Sequence, residues 1–490
     1  MSIVKRFSCS TRCLTIMFVL LCTCVLIGCA CAEQEGLYTY QINDDNTVTI
    51  TGFDWKNNHG DIYIPEMLGN RMISTIGDQS FATTGNDPVS ITLPDSIKSI
   101  GELAFNGVAI KYINIPTGTL SIGDGAFCQC SVMQFRVADG HQVFATIDNA
   151  LYNKQEKKLI AWPTNKEISP IPEGIVSIGG YVFVSRYIWE NSTPSQYFFP
   201  KSLTKIGDYA FYGSDFTGNL RNVRVIGDYA FAKGWKGSKE DLTLWADSQK
   251  GKKGFHFTDI GAHAFENRKM YFGGNDFDSD RTFTIGEYAF YNTTIRSHER
   301  FELGNVTSIG RYAFADFTYD GVFDSSILNL SSLAKLKEIG EYAFYNCRIE
   351  SGKKYYESFE MYMNLETIST SSFEITGEDA WIAGGINVTI GPSTVTIGER
   401  AFAGRSYIKS ITLNEGLQTI GREAFKGCTA LTEIWIPATV SFIDDDVFAN
   451  CSYKLIITVE AGSYGEVWAR TCGYSYKING KEEDTSWLDD

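Results

Sequence analysis

Ile206-Gly207-Asp208-Tyr209-Ala210-Phe211 is repeated twenty residues later as Ile226-Gly227-Asp228-Tyr229-Ala230-Phe231, and the pair decides how the chain is read. Searching outward from it, the pattern of Ile, usually Gly, two variable residues, a small residue and then Phe occurs fourteen times. Its Ile members are Ile76, Ile100, Ile122, Ile178, Ile206, Ile226, Ile260, Ile285, Ile309, Ile339, Ile368, Ile397, Ile420 and Ile443. Each has a Phe five residues on, and twelve of the fourteen have Gly directly after Ile, with Ser369 and Asp444 as the exceptions. Successive Ile residues are 24, 22, 56, 28, 20, 34, 25, 24, 30, 29, 29, 23 and 23 apart, a unit near 23 residues interrupted by insertions. That period belongs to solenoids.

The chemistry of the unit agrees. A 23-residue segment cannot bury an Ile and a Phe by itself, but stacked copies can shield each other's apolar side chains in continuous columns. Ile206, Phe211, Ile226, Phe231, Ile420 and Phe425 typify the core this predicts. Gly is expected to permit a turn that a Cβ would hinder, and the Ala before Phe to leave room for the next coil's backbone. Between one Phe and the next Ile runs an alternating strand often closed by Pro, as in Ile91-Thr92-Leu93-Pro94, Ile113-Asn114-Ile115-Pro116, Ile411-Thr412-Leu413 and Ile434-Trp435-Ile436-Pro437. Stacked, such strands form a parallel sheet, and Pro ends the pairing where its missing N–H would break the ladder. Fourteen coils at about 4.8 Å each would span about 70 Å.

The expected fold is therefore a mainly β solenoid, a leucine-rich-repeat-like right-handed array with a parallel sheet on one face and short helical or turn segments on the other. Both ends read as capped. Leu37 to Ile42 and Val48 to Ile50 flank Asp44-Asp45-Asn46 as a β-hairpin, and Gly462-Ser463-Tyr464 opens a short helix with Ser463 as N-cap. The expected organisation is a β cap and first coil over 37–75, the solenoid over 76–458 with insertions at 234–395, a helical cap over 459–478 and a polar tail over 479–490.

Lys5, Arg6 and Arg12 precede an apolar run from Leu14 to Gly28, the order of a secretory signal and short for a membrane span. Leu26-Ile27-Gly28-Cys29 resembles a bacterial lipobox, which would leave Cys29 as the lipidated first residue and 1–28 as the signal. Ala30-Cys31-Ala32 fits ordinary signal peptidase instead, giving a signal of 1–32. Either way the expected location is secreted or cell surface, with a membrane contact only through a lipid anchor. Formal charge is −15 over 490 residues, and removing three basic residues with the signal makes it −18. Such a chain repels phosphate backbones, so nucleic acid is a poor partner.

At this point Ile206–Phe211, Ile226–Phe231, Ala424-Phe425-Lys426-Gly427-Cys428 with Leu431 and Ile434, and the closing Gly-Ser-Tyr segment resemble the BspA-like leucine-rich repeat family. Ile147 to Asn153 with Leu159 to Pro163 resembles a variant coil of that family, which accounts for the 56-residue gap. The resemblance covers roughly residues 37–478 and implies a surface-exposed or secreted protein, some members being linked to adhesion. It implies no shared catalytic residue. The irregular middle, 234–395, departs from the pattern.

No other motif carries chemistry. Cys130, Cys347, Cys428 and Cys451 each follow the repeat Phe by three residues and read as small core residues fixed by the repeat, with Cys428 and Cys451 near disulfide range in neighbouring coils. Cys128-Gln129-Cys130 lacks zinc spacing. Asp276, Asp278 and Asp280 begin like a calcium loop, but Arg281 stands where Gly belongs. Asp444-Asp445-Asp446 reads as a solvated turn. His59, His141, His256, His263 and His298 are scattered, and neither a nucleophile elbow, a phosphate loop nor a His-Glu-x-x-His is present.

The expectation is a non-enzymatic protein without cofactor, catalytic or metal site, presenting a repeat-built surface to an extracellular protein or glycan. A stalk or spacer, and a carbohydrate-active enzyme with converging carboxylates, are the alternatives. Tyr209, Tyr229, Tyr288, Tyr312 and Tyr342 recur before the Ala-Phe pair and could form an aromatic row, or else be partly buried against the next coil; Tyr combines contact area with a polar tip. Trp235 to Phe257 and Arg348 to Tyr362 are the other candidate surfaces, since loops on a rigid array commonly carry function.

Overall fold

The computed structural model describes residues 32–163, 170–184, 199–214, 217–233, 242–245, 256–273, 281–297, 301–303, 305–321, 328–329, 335–351, 359–363, 365–374 and 386–479. Two compact units divide the chain, residues 1–149 and residues 150–490.

Within the first unit, Glu33–Glu35, Tyr38–Ile42 and Val48–Phe53 form an antiparallel meander. Its last strand pairs in parallel with Arg71–Ile76, and Ser99–Ile100 and Ser121–Ile122 follow. A second parallel ladder joins Ile62–Tyr63, Val89–Thr92, Ala109–Ile115 and Ser131–Val137. Each coil thus contributes two strands, one ending at the repeat Ile and one after the Phe, where the sequence suggests one. Phe81 lies 5.2 Å from Phe105, and Phe105 5.6 Å from Phe127, ring centroid to centroid. Phe53 of the meander stacks 4.9 Å from Phe81 and closes that column. His141, one of the scattered histidines, is buried here: Nε2–H donates to the Pro116 carbonyl at 3.1 Å, while Nδ1 accepts from the Val143 and Phe144 amides. That hydrogen bonding makes it a structural residue of a turn.

The second unit opens with the variant coil, an antiparallel pair Ala150–Asn153 and Lys158–Ala161. Leu159 then takes the Ile place opposite Ile178. From there Ile178, Ile206, Ile226, Ile260, Ile285, Ile309 and Ile339 pair one to the next in parallel register. Ile368, Ile397, Ile420 and Ile443 do the same in a further ladder. The longer strands stack likewise, from Thr217–Asn219 to Arg348–Ser351 and from Phe359–Met363 to Tyr476–Ile478. Eleven Phe rings, Phe183 to Phe448, stand 5.0 to 5.7 Å apart in one column. All are buried, as are the eleven Ile residues beside them. Helix Tyr464–Cys472 covers the end, with Trp468 6.2 Å from Phe448. Ser463 caps it by accepting from the Glu466 amide, Glu466 accepts in return from Gly462, and Gly473 ends it at φ 76°.

The repeat Gly works differently from the expectation. Its φ is not in the left-handed region; its role is close approach. A Cβ on Gly286 would sit 2.5 Å from the amide nitrogen of Ala262 and 2.6 Å from the Gly261 carbonyl carbon, backbone atoms of the preceding coil. The left-handed residue is two positions later, where φ is 56° at Tyr209, 55° at Tyr229, 55° at Tyr288 and 54° at Tyr312. A side chain there costs about 1 kcal/mol of steric strain. The coil-to-coil hydrogen bonds that this backbone makes, such as the Tyr209 amide to the Asp228 carbonyl and the Phe211 amide to the Ala230 carbonyl, both at 2.8 Å, hold it in place.

Candidate recognition surface

Because the third residue after each Ile is left-handed in every coil, its side chain leaves the backbone at the same angle each time, and like side chains stack. Tyr181, Tyr209, Tyr229, His263, Tyr288, Tyr312 and Tyr342 form one column of seven rings. Successive centroids are 4.8, 4.7, 4.3, 4.8, 4.9 and 4.7 Å apart, with interplanar angles between 3° and 14°. The five tyrosines singled out in the sequence are all in it. Tyr181 and His263 are members that the sequence reading passed over, although both lie three residues after a repeat Ile.

All seven rings are half-buried. The row and the burial against the next coil, alternatives in the sequence, are thus one arrangement: neighbouring rings cover the faces of each interior ring, so what reaches solvent is the edge. Burial pushes the phenols of Tyr209, Tyr229 and Tyr312 above their ordinary value, further still from ionisation at neutral pH. Negative charge beside them comes from carboxylates. Asp208, Asp228, Glu287 and Glu341 immediately precede column residues and are exposed. Further along each turn, Tyr212, Tyr291 and Tyr345 pack edge-on or tilted against Tyr209, Tyr288 and Tyr342 at 5.4 to 5.6 Å. In the His263 coil that place belongs to Glu266, whose Oε2 is 2.7 Å from His263 Nδ1.

Beyond Tyr342 the same backbone position holds Ser371, Arg400 and Glu423, and rings give way to ions. Arg400 pairs with Glu374 and Glu423, and Lys426 Nζ reaches Glu423 at 2.9 Å. Hydrogen bonding from Lys426 holds the Glu423 carboxyl below the usual glutamate range.

The cysteines three residues after Phe have a reason that the sequence reading missed. This position donates to the carbonyl of the preceding coil's Phe. Cys130 Sγ donates to Phe105 at 2.6 Å, Thr293 Oγ1 to Phe265 at 2.7 Å and Cys451 Sγ to Phe425 at 3.1 Å; Ser214 donates to Phe183. Cys428 Sγ donates to Phe402 at 3.5 Å, and no disulfide joins Cys428 to Cys451. Arg268 and Arg405 occupy the position too, both only 1% exposed. Arg405 donates through Nε to Phe373 at 2.5 Å and through Nη2 to Phe344, a further coil back, at 3.2 Å.

Among the described residues no three His, Cys, Asp or Glu side chains are placed to hold a metal ion. Asp444 to Asp446 form an exposed or half-buried turn. Cys29, His298, and Asp276, Asp278 and Asp280 lie outside the described residues, as does most of the stretch from Trp235 to Phe257; for Arg348 to Tyr362 only backbone segments are described. No helix among the described residues is long and apolar enough to cross a membrane.

Parallel ladders, a shared Phe column and one coil per repeat define a β-solenoid of leucine-rich-repeat type. The family model for the BspA type leucine rich repeat region, with six copies, matches residues 74–184, 162–280, 255–374 and 320–455, and the chain belongs to that family. Similar solved structures include a leucine rich cell surface protein of Faecalibacterium prausnitzii, at 19% identity over 93% of this chain and 96% of that one, with a TM-score of 0.31. A leucine-rich repeat protein of Bacteroides ovatus is 16% identical over 91% and 99%, with a TM-score of 0.38. The pneumococcal vaccine antigen PcpA is 12% identical over 92% and 99%, with a TM-score of 0.22. No curated protein sequence matches significantly.

Proposed function

We propose that this protein is an exported, non-enzymatic binding protein of the cell surface or its surroundings, and that the aromatic column of the second unit is the face with which it recognises a protein partner. The observation that carries this reading is the column itself. Core needs do not explain it: the Phe and Ile columns already fill the coil interior, whereas the seven rings stand half in water. A repeated half-buried Tyr offers contact area at little entropic cost on binding, because stacking has already fixed its rotamer.

A protein partner is favoured over a glycan because sugars bind aromatic residues through ring faces, and here the interior faces are covered by neighbours. A spacer role would leave such a row unexplained. The signal-like start, with a lipobox-like Cys29 or an ordinary cleavage site at Ala30-Cys31-Ala32, supports export, with or without a lipid anchor. The test is a binding screen of the protein against matrix proteins, mucins and glycans, repeated with Tyr209→Ser/Tyr288→Ser. A partner lost by the double variant, whose circular dichroism is unchanged, is the expected result; partners that bind both forms equally would refute the assignment.

A further inference from the structure

The column has a charge pattern as well as a shape, and the pattern names a partner chemistry. This step rests on the reading of the column as a recognition face. The residues directly preceding its rings include Asp208, Asp228, Glu287 and Glu341, all exposed, against a single cation, Arg311. That cation is instructive. Its guanidinium carbon is 5.0 Å from the centroid of the Tyr312 ring, and its Nε is 3.5 Å from the Glu341 carboxylate one coil on. The chain therefore already holds a guanidinium between a column tyrosine and the acid of the next coil. Tyr209 with Asp228, and His263 with Glu287, repeat the same ring-and-acid relation along the column.

We propose that the column edge is a docking strip for an extended segment rich in Arg or Lys in a partner protein. The ring edges supply apolar contact for the aliphatic stem of the basic side chain, and the carboxylates supply the attraction for its charge. Six steps of 4.3 to 4.9 Å give a strip about 28 Å long, which an extended peptide at about 3.3 Å per residue matches with eight or nine residues. An anionic segment meets repulsion from the same carboxylates.

The experiment is fluorescence anisotropy of the purified protein with labelled peptides of about nine residues, alternating Arg and Ser, Gln and Ser, or Glu and Ser. Asp208→Asn/Asp228→Asn/Glu287→Gln removes the charge while leaving an acceptor oxygen for the backbone amides of Asp228 and Ala262, which Asp208 and Asp228 serve. Asp87→Asn/Glu156→Gln/Glu415→Gln removes as many exposed carboxylates outside the column. The Arg peptide should bind tightest, losing on the order of tenfold affinity in the first variant and little in the second, and weakening as salt is raised. Equal binding of Arg and Glu peptides, or equal losses in the two variants, overturns the proposal. Should the first variant fail to fold, the peptide ranking and salt dependence of the unaltered protein decide. If the peptides fail while a screened partner still needs Tyr209 and Tyr288, only the basic partner class falls; a partner indifferent to those tyrosines removes the recognition face itself.

Discussion

The imidazole of His263 lies 4.3 Å from the phenol ring of Tyr229 with the planes 5° apart, although 34 residues separate them. Histidine here is a column member, stacked on its other face against Tyr288 at 4.8 Å. His263→Tyr should therefore preserve stability within about 0.5 kcal/mol, whereas His263→Ala, which deletes two stacked contacts, should cost about 1–3 kcal/mol. Urea unfolding followed by circular dichroism measures both, and equal losses would show that the ring is not what matters.

The Phe column should be dearer than the Tyr column, because its rings are wholly buried. Phe314→Ala is expected to destabilise by about 3–5 kcal/mol. Tyr312→Ala, in the same coil and half-exposed, should cost clearly less in the same unfolding measurement.

Gly286→Ala should destabilise by about 1–3 kcal/mol or more, since the new Cβ meets backbone rather than a movable side chain. A turn-forming role would instead be tolerant of Ala, because φ at this residue is ordinary. The melting temperature distinguishes the two.

How far the fold was legible follows from cases such as this. Ile and Phe spacing exposed the columns because each must be apolar in every coil, and the Tyr row was visible because five of its six tyrosines stand directly before an Ala-Phe pair. His263 and Tyr181 occupy the same position but escape that pattern, one through residue type and one because Val182 replaces the Ala before Phe183. Gly was recognised but its cause was not, since close approach of two coils cannot be read from one. Arg268 and Arg405 were invisible for a physical reason: a long charged side chain reads as surface, and only the geometry reveals that the Phe carbonyls need a donor there.

That donor position yields a fourth prediction. Thr293→Ser keeps the hydroxyl and should be mild, while Thr293→Val keeps the shape but removes the hydroxyl donor to the Phe265 carbonyl, costing about 1–2 kcal/mol more. Arg405→Met removes the donor to two carbonyls at once and should cost about 1–3 kcal/mol. Thermal melts of the three variants rank them.

The charged continuation of the column predicts a pH dependence. The Glu423 carboxyl is lowered in the folded state, so its stabilisation is fully present above the ordinary glutamate range and is lost as pH falls through its lowered native value. Melting temperatures of the protein and of Glu423→Gln should differ at pH 7 and converge as the medium is acidified below about pH 4. A gap that stays constant with pH would exclude the ion pairs as its source.

Hydroxyl-radical footprinting read residue by residue, with and without a bound partner from the screen, probes the recognition face without any substitution. Protection concentrated on Tyr209, Tyr229, Tyr288, Tyr312 and Tyr342 is the predicted result. A bound partner that leaves those five as reactive as before, and shields residues elsewhere, would contradict it.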